Sequence, residues 1–115
     1  MTKPADSLLI LWTSGDREQA LNMAFMYGLN ARQQGWWEKV TLLVWGPSGN
    51  LLLADEELQW EVRRMQEAGV RLIACKTCAE RYGIGSRLEK LGIEVFYTGE
   101  FLTDWLKSDK PMLTL

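Results

Sequence analysis

Residues 55–78 read DEELQWEVRRMQEAGVRLIACKTC, and the hydrophobic pattern changes period twice inside them. Asp55 is a residue type whose side chain accepts from the first free amides of a helix, and Leu58, Val62 and Met65 follow at spacings that share one helical face. Gly69 stands where a helix closes through a left-handed residue. Val70 to Ala74 is then short, mostly apolar and bounded, as a buried strand is. Thr77, with Glu80 three residues on, has capping-box spacing, so a short helix is expected from Cys78. Helix, buried strand and helix in succession form the repeating unit of a parallel sheet, which sets the fold class as α/β.

The same alternation extends in both directions. Upstream, Ser7 to Thr13 reads as a buried strand ending at the turn Ser14-Gly15-Asp16. Leu21, Ala24, Phe25, Gly28 and Leu29 then recur with helical spacing. Val40 to Trp45 is the next apolar run, and Gly46-Pro47-Ser48-Gly49-Asn50 reads as a loop because two glycines and a proline do not continue a strand. Downstream, Ser86 and Glu89 repeat the capping spacing after a break at Gly83 and Gly85. Glu94 to Tyr97 reads as a fourth strand after Gly92, and Phe101, Leu102, Trp105 and Leu106 mark a last helix. Pro111 opens an edge strand, Met112 to Leu115, at a position where a missing donor matters least. The expectation is a mostly parallel five-stranded sheet in one domain spanning residues 1–115, with no linker or repeat.

The totals exclude several kinds of function. A chain of 115 residues buries roughly two-thirds of its unfolded surface, enough for a core without staples. With 47% hydrophobic and 24% charged residues, and no apolar run near the roughly 20 residues of a membrane span, a soluble protein with no membrane partner is expected. A net charge of −2 with both signs interspersed argues against nucleic acid, whose footprint is clustered Lys and Arg. Met1 to Asp6 has no basic stretch before an apolar core, so export is not expected and a cytoplasmic location is. The chain has no histidine, which removes Ser-His and Cys-His nucleophile pairs. Two cysteines cannot close a four-ligand zinc site, so no metal and no cofactor are expected.

What chemistry remains is concentrated in Cys75-Lys76-Thr77-Cys78. Ligands of open parallel sheets bind beyond the carboxyl ends of the strands, so the loops after the first three strands are candidate walls. With Thr77 as cap, Cys75 leaves a strand end and Cys78 falls in the first helical turn, where free amides and the helix dipole favour a thiolate. Lys76 adds positive charge nearby. A second thiol in reach can resolve a persulfide or sulfenate as a disulfide. Against this stands the plain reading of buried cysteines as small apolar residues. Asp16 could position a proton near the thiols, although a turn or helix cap is the preferred reading. Trp45 and Ser48, in the segment after the second strand, are candidate supporting residues, while a phosphate role for that segment is not preferred because it matches no phosphate-loop pattern. Of six tryptophans, Trp12 and Trp45 end strands, and Trp36, Trp37 and Trp60 are candidates for subunit contacts.

The succession of βα units, Trp45-Gly46-Pro47-Ser48, and above all Cys75-Lys76-Thr77-Cys78-Ala79 followed by Tyr82-Gly83-Ile84, resemble the DsrE-like proteins, in particular their small YchN-like members. The resemblance spans nearly the whole chain, to Leu113-Thr114-Leu115. It implies a three-layer α/β/α fold, cytoplasmic residence, assembly into trimers or hexamers, and sulfur relay between donor and acceptor proteins. The position matching the family's persulfide-carrying cysteine is Cys75, with Cys78 as resolving or auxiliary thiol. The helix-terminus argument taken alone instead favours Cys78 as the more acidic thiol. Two other readings stay open: a dithiol–disulfide oxidoreductase, disfavoured because its CxxC would follow the third strand and not an early one, and an oligomeric scaffold with incidental cysteines.

Overall fold

The computed structural model describes residues 6–115, so the expectation made on Met1 to Asp6 lies, except for Asp6, outside the described residues. Five strands, β1 (Ser7–Trp12), β2 (Lys39–Val44), β3 (Arg71–Cys75), β4 (Glu94–Phe96) and β5 (Met112–Thr114), form one sheet in the order β4-β3-β2-β1-β5. Every neighbouring pair is parallel. The expected α/β architecture is therefore present.

Strand order decides where the helices fall. From β1 to β4 the chain steps across the sheet in one direction, and right-handed crossovers then place all the connecting helices on one face. That face carries α1 (Arg17–Gln19), which runs through a π-helical segment (Ala20–Phe25) into α2 (Met26–Gln33), then α3 (Ser48–Ala54), α4 (Glu56–Ala68), α5 (Lys76–Tyr82) and α6 (Gly85–Lys90). The step from β4 back to β5 reverses direction, so α7 (Gly99–Leu106) lies on the other face. Two cores record this division. Ile10, Trp12, Leu42, Val44 and Leu72 pack against Phe25, Leu52, Leu58, Met65 and Leu88, whereas Leu9, Leu11, Leu43 and Ile73 pack against Trp105 of α7. The third layer is thus a single eight-residue helix.

Local chemistry accounts for most boundaries. Asp55 caps α4 by accepting from the amides of Glu57 and Leu58 at 3.0 and 3.2 Å, and Gly69 closes it at φ +102°. Trp105 donates its indole N–H to the carbonyl of Pro111 at 3.0 Å, fixing α7 to the entry of β5.

The segment Gly46-Pro47-Ser48-Gly49-Asn50 is not a loop, because α3 begins at Ser48 with Pro47 at its cap. Pro47 has a φ of −71°, which suits a helix start. The Ser48 hydroxyl lies 2.8 Å from the carbonyl of Trp12 and 3.1 Å from that of Trp45, tying the ends of β1 and β2 to the helix. Gly49 lets α3 lie close, since a Cβ there would stand 3.1 Å from Ile84 Cδ1.

Candidate functional site

Because α5 leaves β3 on one face and α7 leaves β4 on the other, a crevice opens between the carboxyl ends of these adjacent strands, the usual ligand position in such sheets. A cavity of about 540 Å³ lies there, lined by Cys75, Cys78, Trp45, Arg81, Tyr97 and Thr98 among others. A larger cavity of about 670 Å³ lies at the opposite end of the strands, beside Ser7, Lys39 and Arg71, and contains neither cysteine.

Cys75 is both the last residue of β3 and the cap of α5, with an extended backbone (φ −72°, ψ 118°). It is 8% exposed. The helix begins at Lys76, two residues ahead of the expected start, so Thr77 lies inside the first turn and is not the cap. No conventional side-chain hydrogen bond closes this helix start. Cys75 itself stands at the cap position, where the free amides of the first turn favour negative charge. Burial pushes the Cys75 thiol up, but the Cys78 amide, the Cys78 thiol, the Thr98 hydroxyl and the Thr77 amide all favour its thiolate and bring it below the ordinary thiol value.

Cys78 behaves oppositely. Burial raises it, the amide of Gly46 pulls it back, the adjacent Cys75 sulfur raises it further as hydrogen-bond partner and as charge, and Arg81 lowers it; the thiol ends above its ordinary value. The argument that placed the more acidic thiol at Cys78 is therefore reversed. The free amides of the first turn do stabilise a thiolate, but they converge on the capping residue, and that residue is Cys75. Gly46 reaches Cys78 because its φ of +72° turns the chain sharply at the end of β2. Both cysteines are free thiols.

The other expected residues divide. Trp45 and Thr77 line the cavity with the two cysteines. Lys76 is not among the groups that set either thiol; its Nζ lies 5.0 Å over the Tyr97 ring. The Tyr97 hydroxyl donates to Glu80 at 2.7 Å, so α5 holds the end of β4 from two sides. Ser48 is fully buried and structural. Asp16 caps α1, accepting from Glu18 at 2.9 Å, and does not line the cavity. The loop after β1 is consequently no wall of this site. The segment after β4, Tyr97-Thr98-Gly99-Glu100, takes its place. A hydroxyl and a glycine at the start of a helix were the visible signals there, but only the pairing of β4 with β3 brings them to Cys75. Among the described residues, no group of three or more His, Cys, Asp or Glu is arranged to hold a metal ion.

No protein-family model and no curated protein matches the chain. Among solved structures, it is similar to BT1422 of Bacteroides thetaiotaomicron, a conserved protein of unknown function, at 37% identity over 96% of this chain and 95% of that one, with a TM-score of 0.93. It is also similar to the YchN protein of E. coli at 16% identity over 97% of this chain and all of that one, with a TM-score of 0.73, a likeness of fold.

Proposed function

Since this chain belongs to one family with the conserved Bacteroides protein and has the fold of YchN, we propose that it is a DsrE-like sulfur carrier in which Cys75 holds sulfane sulfur as a persulfide. The observation that carries this reading is the pair of thiols lining the crevice, Cys75 at the strand end and helix cap and Cys78 in the first turn, with the pKa of Cys75 lowered and that of Cys78 raised. In the loading step, the Cys75 thiolate attacks the outer sulfur of a donor persulfide. A Cys75 S–S bond forms, the donor's S–S bond breaks, and the donor leaves as a thiolate. In the unloading step an acceptor thiolate attacks the outer sulfur, and Cys75 departs as the thiolate. A lowered pKa at Cys75 serves both directions, because it raises the share of thiolate that can attack and makes Cys75 a better leaving group. Thr98 and the amides of Thr77 and Cys78 stabilise that departing charge.

The same reading places the protein in the cytoplasm as a homo-oligomer, a trimer or hexamer, exchanging sulfur with donor and acceptor proteins and needing no cofactor. Trp36 and Trp60 are 60% and 71% exposed, in keeping with the expected subunit contacts; Trp37 is instead half-buried and donates to the Tyr27 hydroxyl at 3.0 Å. Light scattering on the eluting peak measures the assembly directly, and a monomer would remove this part of the reading.

The decisive experiment loads the reduced protein with inorganic polysulfide and maps the added sulfur by mass spectrometry. A 32 Da gain on Cys75, abolished in Cys75→Ser, is expected. Undiminished loading after alkylation of Cys75 would sink the proposal.

A further inference from the structure

The reading above gives Cys78 no part in carrying sulfur, yet the fold sets it one helical turn from Cys75 on the same side of α5. A capping residue and the third residue of a helix face each other across the first turn, which is why reciprocal capping pairs use that spacing. Here both positions are sulfur, the cap at Cys75 and the third helical residue at Cys78. Both thiols line the same cavity. The cavity of about 540 Å³ has room for a second sulfur on Cys75.

We propose that Cys78 discharges the Cys75 persulfide within the chain: its sulfur attacks the inner sulfur of the persulfide, a Cys75–Cys78 disulfide forms, and hydrogen sulfide leaves through the crevice. The bond formed is Sγ–Sγ, and the bond broken is that between Cys75 Sγ and the carried sulfur. The carried sulfur is reduced to sulfide as the two cysteine sulfurs are oxidised to the disulfide, and the Cys78 proton leaves with it. No external oxidant enters this step. The inference rests on Cys75 being the loaded thiol and adds a second fate for the load. An acceptor thiol attacking the outer sulfur takes the sulfur onward, and Cys78 attacking the inner sulfur ends the relay as sulfide. A raised Cys78 pKa lowers its share of attacking thiolate, which leaves the internal route to remove sulfur that finds no docked acceptor. The disulfide it leaves blocks reloading until a cellular dithiol reduces it.

The test uses the whole chain, loaded with inorganic polysulfide, passed rapidly through a desalting column and then left without added thiol. The expected result for the native protein is sulfide released in a one-to-one ratio with a desulfurated chain that is two hydrogen atoms lighter than the reduced protein by intact mass, and a Cys75–Cys78 linkage in the peptide map. In Cys78→Ser and Cys78→Ala the persulfide on Cys75 should persist at least tenfold longer, releasing sulfide only when dithiothreitol is added. Native protein that loads at Cys75 and then holds the persulfide as long as Cys78→Ala overturns this inference and leaves the carrier reading intact. A native chain and variants that never load at Cys75 overturn both. The stoichiometry is measured on the native protein, so the result does not depend on how well either variant folds.

Discussion

Cys75 stands at a helix cap, where an oxygen-bearing side chain is usual, and its reactivity follows from that position. Iodoacetamide at neutral pH is expected to modify Cys75 before Cys78, even though Cys75 is the more buried of the two, and peptide mapping at partial labelling checks the order. Labelling rises with pH as the thiolate forms. A lowered pKa sets the Cys75 curve to the acid side of an ordinary thiol, and the raised pKa sets that of Cys78 to the alkaline side. Thr98, 3% exposed, supplies a hydroxyl to the Cys75 sulfur. Thr98→Val should therefore move the Cys75 labelling curve to higher pH and slow labelling several-fold at pH 7, with Thr98→Ser restoring both; an unmoved curve would discharge Thr98 from this role. The importance of Cys75 is readable from its place at the end of an apolar run. Its advantage over Cys78 is not, because hydroxyl residues lead the preferences for helix caps and Thr77 draws the assignment two residues too far. Thr98 is hidden in the sequence for another reason: 23 positions and a strand pairing separate it from Cys75.

Among the elements, α4 is legible from end to end, since Asp55, the stripe Leu58-Val62-Met65 and Gly69 each act locally. Its cap is also pH-sensitive. Burial tends to raise the Asp55 carboxyl, but the Arg17 guanidinium 2.6 Å away and the Leu58 and Glu57 amides bring it below the ordinary value. A carboxyl whose folded pKa is depressed stabilises fully above its unfolded value and loses that contribution as pH falls through the folded one. The melting-temperature deficit of Asp55→Ala should accordingly be largest near neutrality and shrink below the ordinary carboxyl value of 3.8. The start of α3 was misread because Gly and Pro break strands and most helices, whereas Pro47 and Gly49 are used here for a helix start and a close approach. Gly28 of α2 works in the same way, since a Cβ there would stand 3.0 Å from Met65 Cε and 3.2 Å from Ile10 Cδ1. Gly28→Leu should cost about 1–3 kcal/mol, measured by urea unfolding; a neutral outcome would mean that α2 can lift from the sheet without loss.

Across the whole molecule the two faces of the sheet are unequal, and the reason is strand order. Apolar periodicity places five strands and the helices between them, but it carries no information about which strands are neighbours. The crevice beside Cys75 exists only because β4 is an edge and the chain must then cross back to β1. That return is completed by β5, where the Leu115 carbonyl accepts from the Thr13 amide at 2.7 Å and from its hydroxyl at 3.0 Å. Deleting residues 112–115 should lower the melting temperature and promote aggregation beyond the native assembly, because the edge of β1 is then unpaired; a variant with the native assembly size by light scattering and an unchanged thermal melt would contradict this. The pairing also has a consequence in time. Thr13 and Leu115 are 102 positions apart, so during synthesis β1 is made first among the strands and its outer neighbour last. Until residues 112–115 emerge, the nascent sheet presents β1 as an open edge, so that a polypeptide halted shortly before β5 is prone to capture by a chaperone or by another incomplete copy.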